Sequence, residues 1–378
     1  MEMAELGMAL LVGVPREIKN NENRVAITPD GVRELAQHGI SVLLEAGAGV
    51  NSELPDADYA AAGAELVPTV AELVARADLI CKVKEPQPEE IAAYRPGQVL
   101  FTYLHLAAYP EVADGLLAGG ATGVAYETVQ TDDGALPLLA PMSEVAGRMA
   151  TQIGAHYLER ENGGRGVLLG GAPGVAPARV VVIGAGNVGW NAAWIAAGME
   201  AEVVLLDKNL DRLRFVDQIH KGRISTLASN RGTVERAVAR ADLVIGAVLV
   251  PGGRAPVLIS EDMVAGMKKR SVIVDVAVDQ GGCVETIHET THEEPIYETH
   301  GVVHYAVGNM PGAVPNTSTF ALTNATLPYL VQLAAGGVEA AGQDPVLSLG
   351  INTHGGHVTH AVVAEALGRD HTPLTEVF

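Results

Sequence analysis

The chain has 378 residues and a formal charge of −20, with 48% hydrophobic and 19% charged residues. That composition excludes an intrinsically disordered chain, and the charge opposes nucleic acid and anionic membrane surfaces as partners. No apolar run approaches the ~20 residues needed to span a bilayer, and the length suggests two or three domains.

The first residues, MEMAELGMALLVGV, have no basic stretch and no secretory cleavage pattern. They read as a short extension before a strand over 10–14. Further strands are predicted over 41–45, 78–83, 98–104 and 122–125. Helices are predicted between them over 28–38, 56–62, 69–75, 88–94 and 110–118. Thr28, Pro29 and Gly39 mark the N-cap, first turn and stop of the first helix. This alternation is the grammar of a parallel sheet with helices on both faces. A second series follows: a helix over 143–160, then strands over 179–183, 202–206, 243–246, 271–275 and 302–306. A long helix over 318–335 comes next. The remainder to Phe378 reads as helix and loop with no strand of its own. The expected fold class is α/β, with two Rossmann-like domains of parallel sheet flanked by helices and an active-site cleft between them. A discontinuous domain would take 1–137 and 316–378, with 138–315 inserted. The two cysteines, Cys81 and Cys283, lie in or beside apolar strands and cannot form a disulfide framework. A reducing cytoplasm is the expected setting.

Gly184-Ala185-Gly186-Asn187-Val188-Gly189 follows the strand RVVVI directly and opens a helix over 187–197. In that context GxGxxG marks a dinucleotide site. The first glycine permits the turn, the second lets the backbone approach a pyrophosphate, and the third lets helix and strand pack closely. The helix start supplies free N–H groups and the positive dipole end. The next strand ends in Asp207, which can accept from both ribose hydroxyls and would repel a 2′-phosphate, so NAD is expected. Arg212 nearby keeps NADP as the alternative. GAGVNS at 47–52 has a similar pattern but runs into Pro55, and it reads as a turn.

Two histidine motifs raise the question of a metal. HETTH at 288–292 matches HExxH, which needs both histidines on one helix face. Its two threonines, Gly281-Gly282 before it and Pro295 after it argue against a helix. HGGHVTH at 354–360 reads as structural or as an N-cap. No metal is expected.

Four polar side chains sit where propensity alone would not place them. Arg24 lies in the loop before the first helix, Lys84 at the end of the run LICKVKEP, His105 at the end of FTYLH, and Asp279 just past the strand ending at Asp275. Ligands of open α/β sheets gather at the carboxyl ends of strands. Arg24 and Lys84 could bind the carboxylate and carbonyl of a small 2-oxo acid. His105 could exchange a proton, and Asp279 could hold ammonia. Each also has a plain structural reading: surface arginine, strand-end lysine, core histidine, loop cap. Lys82, two residues before Lys84, reads as a support paired to a carboxylate.

Taken together, VGVPREIKNNENRVAITPDGV, KVKEP, FTYLHLAA, AYETVQTDDGALPLLAPMSEVAGRMA, VVVIGAGNVG, DVAVDQGG and HYAVGNMPGAVPNTSTFALTNATLPY resemble the L-alanine dehydrogenase family. The resemblance implies NAD-dependent interconversion of L-alanine with pyruvate and ammonium. It places substrate binding on Arg24 and Lys84 and catalysis on His105 and Asp279. It places NAD contacts on Ser143, Asn187, Asp207, Arg212, Ser229, Val248, Leu249, Val276, Ala277, Val278, Asp279, Val307, Gly308, Asn309 and Met310. It also implies a homohexamer. The magnesium of some relatives is not carried over, because YLVQLAAGGVEAAG offers few ligands. Two alternatives remain: the NAD-binding subunit of transhydrogenase, which is similar over most of the length, and a non-catalytic NAD-binding regulator.

Overall fold

The computed structural model describes residues 9–248, 255–278 and 281–378. These form two compact units: the described residues up to Met142 with Gly312–Phe378, and Ser143–Pro311.

The first unit contains β1 (Val12–Val14), α1 (Pro29–Gln37), β2 (Val42–Glu45), α2 (Asp56–Ala62), β3 (Glu65–Val67), α3 (Val70–Arg76), β4 (Leu79–Cys81), α4 (Pro88–Ile91), β5 (Val99–Thr102), α5 (Pro110–Gly119) and β6 (Thr122–Ala125). Helix α6 (Ala140–Leu158) leads into the second unit. The parallel strands of the first unit lie in the order β3-β2-β1-β4-β5-β6. The order reverses between β1 and β4, which is the switch point where doubly wound sheets bind ligands. Strands β1, β4, β5 and β6 are buried at every residue, as expected for a sheet covered on both faces. Gly13 is required in β1, because a Cβ there would lie 2.6 Å from Leu73 of α3. The Thr28 hydroxyl caps α1 by accepting from Gly31 N.

The second unit continues with β7 (Arg179–Ile183), α7 (Asn187–Gly198), β8 (Glu202–Asp207), α8 (Leu210–His220), β9 (Ile224–Ala228), α9 (Arg231–Val238), β10 (Leu243–Gly246), α10 (Glu261–Ala265), β11 (Val272–Asp275), β12 (Ile296–Thr299) and β13 (Val302–Tyr305). The sheet order is β12-β13-β11-β10-β7-β8-β9, parallel except for β12. It repeats the order of the first unit, with its reversal between β7 and β10. Apolar clusters cover both faces.

The C-terminal segment supplies α11 (Pro315–Gln343), β14 (Ile351–His354), β15 (His357–Val358) and α12 (Ala361–Leu367). The expectation that it holds no strand is corrected. β14 runs antiparallel to β6 and β15 extends the same sheet. Gly355 and Gly356 both take positive φ, 55° and 84°, as a two-residue hairpin turn requires. The strand residues Asn352, Thr353, His354 and His357 are polar and carry no apolar alternation, so the pattern concealed them. Edge strands β3, β9 and β12 were also absent from the sequence reading; they are short and largely exposed or half-exposed.

Strand β4 stops at Cys81, earlier than the predicted 83. Beyond it, Lys82 N still donates to Phe101 O at 3.0 Å and Tyr103 N to Val83 O at 3.3 Å, and side chains join these backbone bonds. Tyr126 Oη donates to Lys82 O at 2.9 Å, Val83 N donates to Glu17 Oε1 at 2.6 Å, and Thr102 Oγ1 donates to Lys84 O at 2.9 Å. Among the described residues no helix is long and apolar enough to cross a membrane.

Candidate active site

The loop after β1 turns at Lys19–Glu22, with Asn21 at φ 57°, a conformation asparagine tolerates. This turn sets the Glu22 carboxylate on Arg24. Oε1 accepts from Arg24 N at 3.0 Å and from Nε at 2.7 Å, and Oε2 accepts from Nη2 at 2.5 Å. Arg24 Nη1 also meets Met142 Sδ at 2.9 Å. Arg24 is almost wholly buried, not a surface loop arginine. Burial opposes ionisation of Glu22, but the Arg24 charge and hydrogen bonds hold its carboxyl below the ordinary value.

The two lysines after β4 differ sharply. Lys82 is 1% exposed and pairs with Glu90 at 2.7 Å and Glu17 at 3.3 Å. Lys84 is half-buried, and among the described residues no side chain lies within hydrogen-bond distance of its ammonium. Burial, and then the positive charge of Arg24, push the Lys84 amine below its usual value.

The next residue, Glu85, joins Lys84 to His105. It is 2% exposed. Its Oε1 pairs with Lys19 Nζ, and its Oε2 lies 3.2 Å from His105 Nδ1. Burial alone would raise this carboxyl, yet the His105 hydrogen bond and the charge of Lys84 bring it down to about 2. His105 follows β5 and takes φ 47°, unusual for a residue with a Cβ. Glu127 holds that geometry: it accepts from His105 N at 2.6 Å and from Leu104 N at 3.2 Å. Tyr103 stacks on the imidazole at 5.7 Å between centroids.

Arg24, Lys84 and His105 therefore come from the carboxyl ends of β1, β4 and β5, around the switch point, and share the charges of Glu22 and Glu85. Sequence reading missed Glu22, Glu85 and Glu127. Lysines and arginines in apolar runs demand buried acidic partners, but spacing does not say which ones. Asp279 and Leu249 lie outside the described residues.

In the second unit the glycines of the 184–189 turn have distinct jobs. Gly184 takes φ 103° and a Cβ there would lie 2.5 Å from Ala247 O. A Cβ on Gly189 would lie 1.7 Å from Gly184 O, so it sets how closely α7 packs. Gly186 is the N-cap of α7 and is uncrowded, its nearest would-be neighbour being Arg212 Nη1 at 3.8 Å. That open face above the helix start suits the approach of a pyrophosphate. Asp207 ends β8 and accepts from Ala185 N at 2.6 Å and Asn209 N at 2.7 Å. It therefore anchors the glycine turn from the carboxyl end of β8. Arg212 lies 4.0 Å from it. Ser229 N donates to Asp207 O. Asn187 is the first residue of α7, with Val188 buried behind it. Val248 follows β10. Val276, Ala277 and Val278 follow β11, and Val307, Gly308, Asn309 and Met310 follow β13, with Asn309 at φ 56°. Ser143 lies half-buried in α6. Each of these groups except Ser143 stands at or beyond a strand's carboxyl end. The donor set and the open turn fit a nicotinamide dinucleotide.

HETTH is not helical. His288 stacks on Tyr297 at 3.7 Å and Thr290 bridges to Val307. His360 caps α12 and His354 Nδ1 meets Thr122 Oγ1 at 2.8 Å.

Two family models together match most of the chain: the alanine dehydrogenase/PNT N-terminal domain over residues 13–146 and the corresponding C-terminal domain over 150–361. The chain belongs to the alanine dehydrogenase/PNT family. Alanine dehydrogenase of Mycolicibacterium smegmatis is 56% identical over 359 residues, spanning 95% of this chain and 97% of that protein. A solved L-alanine dehydrogenase superposes with a TM-score of 0.92 at 50% identity, covering 95% of this chain and 99% of that one. A transhydrogenase from Sinorhizobium meliloti shares the alanine dehydrogenase/PNT architecture at a TM-score of 0.80, but at 27% identity over 93% of this chain and 99% of that one.

Proposed function

We propose that this chain is an NAD-dependent L-alanine dehydrogenase that interconverts L-alanine with pyruvate and ammonium. The observation that carries the reading is the cationic site at the switch point of the first unit. There Arg24 is fixed by Glu22 and, among the described residues, no side chain pairs with the Lys84 ammonium, in a chain more than half identical to alanine dehydrogenases over nearly its full length.

NAD supplies the hydride acceptor. Gly184, Gly186 and Gly189 with the α7 N-terminus would hold its pyrophosphate, and Asp207 its adenosine ribose. Ser143, Asn187, Val188, Arg212, Ser229, Val248, Leu249, Val276, Ala277, Val278, Asp279, Val307, Gly308, Asn309 and Met310 would line the remainder. Arg24 and Lys84 bind the substrate carboxylate and the 2-position oxygen as fixed cations. A desolvated ammonium with no carboxylate partner among the described residues suits an anionic ligand. His105 takes or gives the proton as the 2-position interchanges between amine and carbonyl. Asp279 holds the ammonium nitrogen. The first unit is then the substrate domain and the second the NAD domain. The working enzyme is a cytoplasmic homohexamer in this reading, and no metal is called for.

NADH oxidation that needs both pyruvate and ammonium tests the proposal. Turnover only with both supports it; no turnover with both present overturns it. Hydride exchange to a second nucleotide without either substrate would favour the transhydrogenase reading instead.

A further inference from the structure

We infer that Glu85 is the positioning residue of His105: it fixes the Nδ1–H tautomer, so that Nε2 is the nitrogen that exchanges a proton with substrate. The inference rests on the reading of His105 as the proton-exchanging group.

Three observations carry it. The first is that Glu85 Oε2 lies 3.2 Å from Nδ1. A carboxylate can only accept, and this one is ionised at any physiological pH. The proton of the neutral imidazole therefore sits on Nδ1, and Nε2 keeps its lone pair. The second is that Glu85 cannot swing away. Its other oxygen pairs with Lys19, whose ammonium also donates to Tyr109 Oη at 3.2 Å and lies 4.9 Å from that ring's centroid. The third is that the His105 backbone is independently pinned at positive φ by Glu127. One acid sets where the residue stands and the other sets which nitrogen reacts. Among the described residues, the charged and titratable groups facing His105 are Glu85, Glu127 and Tyr103, with Lys19 and Lys84 acting on it through Glu85. A carboxylate on the far nitrogen also stabilises the imidazolium formed when His105 takes a proton, the role the acid plays in histidine-based triads.

The test compares the wild type with Glu85→Gln and Glu85→Asp. Steady-state kinetics with pyruvate, ammonium and NADH are combined with nitrogen-15 NMR of labelled histidine, which reads the protonated ring nitrogen of His105. In the wild type the His105 proton is expected on Nδ1. In Glu85→Gln, kcat is expected to fall about 100-fold, with the KM for pyruvate within about threefold of wild type, and the Nδ1–H form is expected to lose its dominance. Glu85→Asp keeps the charge at a longer reach. It should keep the Nδ1–H form and lose about tenfold in kcat. A wild type with the proton on Nε2, or a Glu85→Gln enzyme with near-normal kcat or an unchanged tautomer, overturns the inference. Should Glu85→Gln not fold, full activity in Glu85→Asp overturns it, and the tenfold loss with the Nδ1–H form kept supports it. The tautomer needs no turnover to be read, so an inactive wild type would sink the proposed function while the NMR still decides the Glu85–His105 relationship.

Discussion

The Glu22 carboxylate grips Arg24 at two points, Oε1 on Nε at 2.7 Å and Oε2 on Nη2 at 2.5 Å. This fork-on-fork contact fixes the plane of the guanidinium before any ligand arrives. Lysine keeps the charge but has no plane to fix and no rigid fork of donors to offer. Arg24→Lys is therefore expected to raise the KM for pyruvate about tenfold or more, the effect of losing roughly 1.4 kcal/mol of binding. Initial rates across a pyruvate series check this. An unchanged KM would remove Arg24 from the substrate site.

Lys84 sets function against stability. Its ammonium is desolvated, lies in the positive field of Arg24 and has no side-chain partner among the described residues. Its amine therefore titrates below the ordinary 10.5 in the folded state. A lysine with a depressed folded value is a cost to folding that is complete below that value and fades as pH rises toward 10.5. Lys84→Met should remove the cost. We expect a gain of about 1 kcal/mol, or roughly 2 to 4 °C in Tm near neutral pH, a gain that shrinks in alkali. Turnover should fall at least about 100-fold. Thermal melts across pH, run beside the activity assay, check both halves.

Lys82 should behave in the opposite way. It is buried between Glu17 and Glu90, and burial pushes the Glu17 carboxyl up against the pull of Lys82. Lys82→Ala strands those acids in the interior, a loss of about 3 kcal/mol or more. Denaturant melts should show that loss, while the folded fraction keeps far more activity than Lys84→Ala. The reverse order would mean that Lys82 is the substrate lysine.

These two lysines mark where the sequence was legible and where it was not. The strand-end position of Lys84 and His105, and the loop after β1 that carries Arg24, could be read because parallel strands announce themselves as apolar runs and their ends follow. The expected pairing of Lys82 with a carboxylate is also present in the structure. What the sequence withheld was the identity of the partners. Glu85 lies 20 residues from His105 and Glu127 lies 22, separations with no periodic signature, so only the fold discloses them. The same holds for β14, whose polar residues pair with β6 across more than 200 residues of chain. The predicted end of β4 at residue 83 overshoots for a related reason, since tyrosine, glutamate and threonine side chains are interleaved there with the last backbone bonds.

In the proposed NAD site Asp207 has two roles that a single substitution removes together. It accepts from Ala185 N and so braces the glycine turn, and it would stand where a 2′-phosphate is repelled. Asp207→Ala should narrow the preference for NAD over NADP about tenfold or more, helped by Arg212 at 4.0 Å from the carboxylate it would lose. It should also weaken NAD itself, because the turn loses its brace. The ratio of kcat/KM for the two cofactors measures this. A preference as strong as the wild type's would assign discrimination elsewhere.

The glycine turn allows a matched pair of substitutions with different expected failures. At Gly189 a Cβ would sit 1.7 Å from Gly184 O and 2.9 Å from Gly184 C. Both are backbone atoms that cannot rotate aside, so β7 and α7 must separate. Gly189→Ala should lower the Tm and abolish NADH binding together. At Gly186 the backbone is at φ −76°, which alanine adopts without strain, and nothing lies closer than 3.8 Å. Gly186→Ala should melt like the wild type yet bind NADH about tenfold or more weakly, because its methyl occupies the face that the pyrophosphate approaches. Melts and NADH titrations on the two variants separate packing from ligand contact. Equal stability in both would contradict the packing role of Gly189, and unimpaired NADH binding in Gly186→Ala would place the pyrophosphate away from this turn.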